Sequence, residues 1–161
     1  FTRLCWNGDA EGSGTCTGPL VANTSSANPS GSPSTDWACT KDNHTNLIWS
    51  LQTIPGINWN NATSTAGGSP IAAHNAATRC GFATGWRVPT RRELLSIVHH
   101  GAYSPAIDGA YFPATVSSGY WTNDSYAPNP AGAWLVNFDN GGTNASYKTG
   151  ANLVRLVRSG Q

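Results

Sequence analysis

The pattern of apolar and polar residues predicts strands in the second half of the chain. In the segment 133–138 the side chains of Trp134, Val136 and Phe138 share one face with Leu135 on the other, which predicts a mostly buried strand. The run DNGG at 139–142 favours a tight turn directly after it. Three further strands are predicted at 45–53, 120–123 and 153–158.

A second pattern, with apolar residues three and four positions apart, predicts a helix over 90–100 that ends at Gly101. Thr90 and Glu93 have the spacing of a capping box, in which the hydroxyl and the carboxylate each accept a backbone N–H. The apolar stripe of this helix is Leu94, Ile97 and Val98.

Ser69 and Pro70 open another predicted helix, over 70–80. Its alanines and Cys80 fall on one face, which we expect to be buried so that Cys80 ties the helix to the core. Two short helices packed on a small, mainly antiparallel sheet predict a loop-rich α+β fold. By length the chain is a single domain, 1–161.

The four cysteines lie at positions 5, 16, 39 and 80 and contain no C-x-x-C pair. An even number at wide spacing in a chain with few lysines predicts two disulfides, Cys5–Cys16 and Cys39–Cys80, formed in an oxidising compartment. The alternative is four buried free thiols. The chain begins as a mature exported protein would and has no apolar run of membrane-spanning length, so we expect an extracellular or cell-surface location.

Charged residues make up only 11% of the chain, and the net charge is +1. Nucleic-acid binding through a general basic field is not expected, because it requires clustered lysines and arginines. A weakly charged surface repels copies of itself poorly, so the composition favours a homo-oligomer or a filament.

Residues 1–35 form a Cys-bounded segment rich in Gly, Ser and Asn, ahead of the remaining part of the domain at 36–161. The stretch 22–36 has no aromatic and no large aliphatic residue. We expect such a stretch to be ordered only where a neighbouring subunit, a sugar or an ion packs on it. Asn-x-Ser/Thr triplets make the chain a candidate glycoprotein, although a composition this rich in Asn, Ser and Thr produces such triplets by chance.

Several short motifs follow one another in an order typical of one bacterial family. DNHTNLIW at 42–49 resembles the family's DN-x-T-x-L-x-W strand, and GWRVPTRREL at 85–94 resembles its GWRLPT-x-x-EL helix start. The motifs that keep the same order afterwards are PAID (105–108), FP (112–113), YWT (120–122), AWLV (133–136) and VRLVR (154–158). Over about residues 36–158 the chain therefore resembles the Lcl C-terminal domain family, named for the terminal domain of a collagen-like adhesin.

The resemblance implies a C-type-lectin-like fold, distantly akin to formylglycine-generating enzymes, in a secreted or surface-attached protein. It also implies a ligand class, since the named adhesin domain is a trimer that binds sulfated polysaccharide. The family brings no agreed catalytic site, and its motif residues are expected to act mainly as determinants of the fold.

Arg91 and Arg92 are the first candidates for binding an anion. Both fall in the first turn of the predicted helix 90–100, where unpaired backbone N–H groups and two guanidinium groups suit sulfate or carboxylate. The alternative, which we prefer, is structural: Arg87 or Arg92 pairs with a carboxylate such as Asp108.

Seven tryptophans invite a sugar-stacking interpretation. Four lie in predicted strands or motifs and are expected in the core: Trp49, Trp86, Trp121 and Trp134. Among those in polar segments, Trp59 is the candidate for stacking on a ligand, whereas Trp6 and Trp37, with Phe1, are candidates for contact with a second copy. Packing beneath a loop is the alternative for these tryptophans.

Signals for metal binding and catalysis are weaker. Asp36, Asp42 and Asp139 offer oxygen ligands to calcium, but none lies in a loop of EF-hand spacing, so plain turns are preferred and no cofactor is required. Neither a nucleophile elbow nor a zinc-protease motif occurs, and the cysteines are assigned to disulfides rather than to formylglycine-type oxidation. We therefore do not expect an enzyme.

The sequence thus predicts a non-catalytic, secreted bacterial protein. The leading hypothesis is a structural subunit of an extracellular, pilus-like filament or surface assembly, which follows from the low charge and the exported character. The alternative is an adhesin module that binds anionic, sulfated polysaccharide through Arg91, Arg92 and a loop tryptophan. A C-type-lectin-like enzyme is the least favoured class.

Overall fold

The computed structural model describes residues 1–25 and 34–160. Its strands are β1 (Thr2–Cys5), β2 (Val21–Ala22), β3 (Asp36–Lys41), β4 (Leu47–Ser50), β5 (Ile54–Ile57), β6 (Gly119–Ser125), β7 (Gly132–Asn137), β8 (Thr143–Tyr147), β9 (Asn152–Val154) and β10 (Val157–Ser159). Its helices are α1 (Trp59–Thr63), α2 (Pro70–Ala76), α3 (Arg91–Leu95) and a 3-10 helix (Arg79–Gly81). The predicted α+β class is confirmed. Most of the polar stretch 22–36, with its expected packing on a neighbour, lies outside the described residues.

Instead of the one small sheet predicted, the strands form two sheets of five strands each. The first has the order β1-β3-β4-β10, with β2 paired in parallel to β3. Its central strand β3 is buried from Asp36 to Thr40. The sequence pattern missed this strand, because its polar residues are buried by neighbouring segments that are distant in sequence.

The second sheet has the order β5-β9-β6-β7-β8, and it is mainly antiparallel as predicted. Its middle strands are buried on both faces: Ala133 and Leu135 of β7 belong to one apolar cluster, and Val136 belongs to another. The two edges of this sheet differ. β5 contains Pro55 and Gly56, whereas β8 is largely exposed along its length.

The predicted strand 153–158 is two strands, β9 in the second sheet and β10 in the first. The chain passes from one sheet to the other at Arg155 and Leu156, both fully buried. The Arg155 guanidinium donates to Thr115 Oγ1 at 2.8 Å, which holds this crossing inside the molecule. A stretch that reads as one strand in the sequence is therefore divided between two sheets at Arg155 and Leu156.

Both predicted disulfides, Cys5–Cys16 and Cys39–Cys80, are present. The reasoning that placed Cys80 on a helix was nevertheless wrong. α2 ends at Ala76, and Cys80 lies in the 3-10 helix with a φ of 54°. The buried side of α2 is formed by Ile71 and His74 rather than by its alanines.

The capping box predicted at Thr90 and Glu93 is confirmed, and it begins α3 at the expected residue. The helix is much shorter than predicted, because it ends at Leu95. Ile97 is buried in the turn that follows, and Gly101 does not cap the helix. A further short helix, α1, lies in a polar segment for which no helix was predicted, and Asn58 is its N-cap.

Candidate functional site

The start of α3 is fixed by an ion pair. Arg87 donates from Nη2 to Glu93 Oε1 at 2.6 Å and from Nη1 to Oε2 at 2.7 Å. The same carboxylate accepts the Thr90 N–H at 2.8 Å. The hydrogen bonds from Arg87 hold the pKa of Glu93 below its usual value, although partial burial opposes them. Arg87 is thus a structural residue as we preferred, but its partner is Glu93 and not Asp108.

Two backbone N–H groups in the first turn of α3 already have acceptors. The Arg91 N–H donates to the carboxylate of Asp124, on β6, at 2.5 Å, and the Glu93 N–H donates to Thr90 Oγ1 at 3.2 Å. β6 therefore brings an acidic side chain to the position at which an anion was predicted. The guanidinium groups of Arg91 and Arg92 are then the better candidates for binding an anion near α3.

The side chain of Arg91 lies over Trp134 of β7, with 4.2 Å between the guanidinium carbon and the ring centroid. Trp134 is only partly buried, so its predicted core position is wrong. Its other neighbour is Tyr126, whose ring meets it edge-on with centroids 5.0 Å apart.

An open groove of about 510 Å³ passes along these residues. Its lining consists of Thr90, Arg91, Arg92, Asp124, Ser125 and Trp134. Arg92 is exposed at its rim. The structure thus brings together the two arginines proposed from the sequence, and it adds an aromatic ring.

A lysine that the sequence analysis did not single out lies beside this groove. Lys148 Nζ donates to Ser125 Oγ at 2.8 Å and lies 4.3 Å from the ring centroid of Trp59. Trp59 is half-buried and donates from Nε1 to the Thr122 carbonyl at 2.8 Å. Trp59 is therefore linked to the groove through Lys148 and the end of β6. The groove and its edge therefore carry three positively charged side chains, Arg91, Arg92 and Lys148, and one carboxylate, that of Asp124.

The residues predicted for contact with a second copy occupy different positions. Trp6 and Trp37 are both 6% exposed and belong to the interior, so neither ring offers much surface to another molecule. Trp37 donates from Nε1 to the Cys39 carbonyl at 2.8 Å. Phe1 is 40% exposed, and its ring packs against Tyr111 and Phe112. Segments distant in sequence cover both tryptophans, which local polarity did not indicate.

Arg79 covers Trp6, with its guanidinium carbon 4.9 Å from a ring centroid of the tryptophan. Its Nη1 and Nη2 donate to the carbonyls of Ser25 and Asn23 at 3.0 and 2.9 Å. Burial lowers the pKa of Arg79 to about 10, and the negative charge of Asp36 partly opposes this. This arginine therefore clamps the backbone where it leads into the polar stretch.

Arg79 and His74 line a smaller cavity, of about 180 Å³, beside α2. His74 Nδ1 lies 3.1 Å from the Pro70 carbonyl, which can only accept, so Nδ1 carries the hydrogen. Nε2 then accepts from the Ser50 hydroxyl at 2.9 Å. Burial, and next the positive charge of Arg79, lower the pKa of His74 to about 3. With Ser50 fully buried, this serine–histidine pair is part of the scaffold.

The three aspartates considered for calcium are engaged locally. Asp36 accepts from Asn23 Nδ2 at 3.2 Å, Asp42 accepts from the His44 N–H at 2.9 Å, and Asp139 accepts from the Ser104 hydroxyl. Over residues 1–25 and 34–160 no group of three or more His, Cys, Asp or Glu side chains is arranged to hold a metal ion. Within the same ranges, none of the helices has the length and apolar character needed to cross a membrane.

Comparison with known families supports the resemblance seen in the motifs. The sequence model of the Lcl C-terminal domain matches residues 38–158, well over half of the chain. No curated protein matches the chain at a significant level. The family and the two disulfides are consistent with an extracellular, adhesin-like protein. The chain belongs to the Lcl C-terminal domain family.

Proposed function

We propose that this chain is a non-catalytic, extracellular adhesin-like module that binds an anionic, sulfated polysaccharide along the groove beside α3. One observation carries the proposal: Arg91, Arg92 and Lys148 surround an open surface that also presents the ring of Trp134. In the described part of the chain, neither Arg91 nor Arg92 forms a side-chain ion pair with a carboxylate. Their guanidinium groups therefore keep their donors for a ligand.

The chemistry of these groups suits a sulfated sugar polymer. A guanidinium group presents parallel N–H donors that match two oxygens of a sulfate, and a lysine adds a compact positive charge. The tryptophan rings offer apolar faces beside the cations, on which sugar rings stack. The groove is open at the surface, so it suits a segment of a long chain better than an enclosed small molecule. No cofactor is needed for this mode of binding.

Elution from a heparin column tests the proposal. We expect the Arg91→Ala/Arg92→Ala variant to elute at clearly lower salt, with about tenfold weaker binding for each cation removed. The single variant Arg92→Ala is expected to show about half of this effect on the free energy of binding. Lys41→Ala is its matched control, because it also removes one positive charge, but from β3 in the first sheet. Unchanged elution of the double variant would remove the proposed site.

A structural subunit of an extracellular filament or surface assembly remains a second candidate. The observation that favours it is the exposed, uncharged strand β8 at one edge of the second sheet. The two roles are compatible, since β8 contributes no residue to the lining of the groove. The association state of the chain in solution tests this role.

A further inference from the structure

We infer that β8 pairs antiparallel with β8 of a second copy of this chain, about a two-fold axis at Ala145. This step goes beyond polysaccharide binding and does not depend on it. It starts from the backbone of β8, which forms one end of the sheet order β5-β9-β6-β7-β8.

The backbone pairing between β7 and β8 shows which groups are free. The Asn137 N–H donates to the Gly142 carbonyl, and the Lys148 N–H donates to the Ala131 carbonyl, both at 2.8 Å. In an antiparallel ladder, residues alternate between those that bond to the neighbouring strand and those that point away from it. Even-numbered residues of β8 therefore face β7. The N–H and C=O groups of Thr143, Ala145 and Tyr147 point outward, to the side on which the sheet has no further strand. The Tyr147 carbonyl accepts the Gly150 N–H at 2.8 Å, so the groups left for a new strand are those of Thr143 and Ala145 and the Tyr147 N–H.

The opposite edge of the sheet is protected against strand addition, and β8 is not. β5 has the sequence IPGI and an irregular register with β9. Proline and irregular pairing are common means of blocking an edge. β8 has the sequence TNASY, with no charge, no proline and no bulge in its pairing with β7. It also carries Tyr147, one of the large apolar side chains most exposed on the molecule, at 66%.

The pattern of β8 is self-complementary when two copies meet at Ala145. Thr143 of each copy then faces Tyr147 of the other, and the small Ala145 side chains meet at the axis. Such a pairing forms about four N–H···O=C hydrogen bonds between unoccupied groups: two between the Ala145 residues, and one from each Tyr147 N–H to the Thr143 carbonyl of the other copy. A β-branched residue opposite an aromatic ring is a favourable cross-strand pair. Lys148 falls opposite Gly142 of the second copy, so no like charges are brought together.

This arrangement has a consequence for the groove, and this part rests on the proposed function. Antiparallel strands in one sheet are related by an axis perpendicular to it, so equivalent faces of both copies lie on the same side. Trp134 is directly paired with Ala145 and shares its face. The Arg91–Trp134 grooves of both copies therefore lie on one surface of a continuous sheet. One polysaccharide chain then contacts two sites, which raises its apparent affinity.

Sedimentation of the full chain over a range of concentrations tests the pairing, with Ala145→Pro as the decisive variant. Proline is tolerated where an edge N–H points to solvent, so this variant is expected to keep the melting temperature of the native chain. It removes the central donor of the new ladder and should weaken association by more than about tenfold. A native chain that is monomeric up to millimolar concentration, or an Ala145→Pro variant that dimerises as the native chain does, overturns the inference.

Disulfide cross-linking tests the register of the β8–β8 pairing and does not depend on the stability of the variants. Asn144 of one copy lies opposite Ser146 of the other at a non-hydrogen-bonded position, where Cα atoms are about 4.5 Å apart. That spacing permits a disulfide. We expect an equimolar mixture of Asn144→Cys and Ser146→Cys variants to cross-link rapidly on oxidation, and either variant alone to do so poorly. A trimer or open polymer without this cross-link overturns the pairing. The Arg91→Ala/Arg92→Ala variant tests the two proposals separately. If it still dimerises but no longer binds heparin, the β8 pairing does not depend on the polysaccharide site.

Discussion

Arginine lies over tryptophan at two contrasting places in this molecule. Arg79 and Trp6 are both buried, and two guanidinium nitrogens of Arg79 donate to backbone carbonyls. Arg91 and Trp134 are only partly buried and line an open groove. The same pair of residue types thus belongs to the scaffold in one region and to a candidate binding surface in the other.

The difference shows that a cation over an aromatic ring does not by itself indicate a binding site. What distinguishes the two regions is the use of the guanidinium donors. Where carbonyls accept them, the arginine organises the chain and has nothing left for a ligand. Where they face solvent, the desolvation cost is small and an incoming anion finds unused donors. The contrast can be tested by making matched substitutions in both regions.

The largest effect is expected for Arg79→Met. Methionine removes the donors for the Asn23 and Ser25 carbonyls and leaves the buried Asp36 without its positive neighbour. Breaking a buried charged network from one side typically costs about 3–5 kcal/mol. Urea denaturation at neutral pH should show a loss of this size in the free energy of unfolding. Arg79→Lys is the control, since it keeps the charge but does not bridge two carbonyls, and an intermediate loss is expected. If the methionine variant is as stable as the native chain, Arg79 does not stabilise the fold through the carbonyls of Asn23 and Ser25.

A second, smaller effect is expected on the pH dependence of the free energy of unfolding, and it comes from His74, which lies next to Arg79. Its pKa is about 3 in the folded chain, against an ordinary value of 6.5. Below pH 6.5 the unfolded chain gains a proton that the folded chain does not, so the stability falls as the pH decreases. The expected slope is about 1.4 kcal/mol for each pH unit between 6.5 and 4.5.

This slope is measured as the urea unfolding free energy at several pH values within that window. Glu93, whose pKa in the folded chain is lowered by Arg87, adds to the slope only at the lower end of this window, because its carboxyl group in the unfolded chain titrates at about 4.5. His74→Gln removes the titrating group and should flatten the profile. A native profile that is already flat would mean that His74 takes up a proton as readily in the folded chain as in the unfolded chain.

The parts of the fold that were predicted correctly have local signals. Thr90 and Glu93 form a capping box within one helical turn, so their sequence spacing was sufficient. β7 was found because alternation is also a local property. The boundary between β9 and β10 could not be found in this way. It depends on the burial of Arg155 against Thr115, which is a contact between distant segments.

Arg91 and Arg92 could be chosen from the sequence, but their surroundings could not be predicted from it. They were chosen for their guanidinium groups and for the backbone N–H groups of the first helical turn, and Asp124 accepts one of those N–H groups. Lys148 was missed because the pairing of β7 with β8 brings it beside Ser125, and no local pattern marks it. Trp134 was assigned to the core but is only partly buried, and Trp6, a candidate for contact with a second copy, is buried as its stated alternative had it. Side-chain burial at such positions depends on which distant segment covers them.

The smallest effect on stability is expected for Arg91→Met, the matched counterpart of Arg79→Met. A partly exposed cation–aromatic contact contributes about 0.5–1 kcal/mol, and methionine keeps much of the apolar contact with Trp134. Urea denaturation should therefore show a change below about 1 kcal/mol, while binding to heparin weakens. If Arg91→Met instead destabilises the chain as much as Arg79→Met does, Arg91 is a second clamp. The groove would then lose its central residue, because an arginine that the fold requires is not free to bind a ligand.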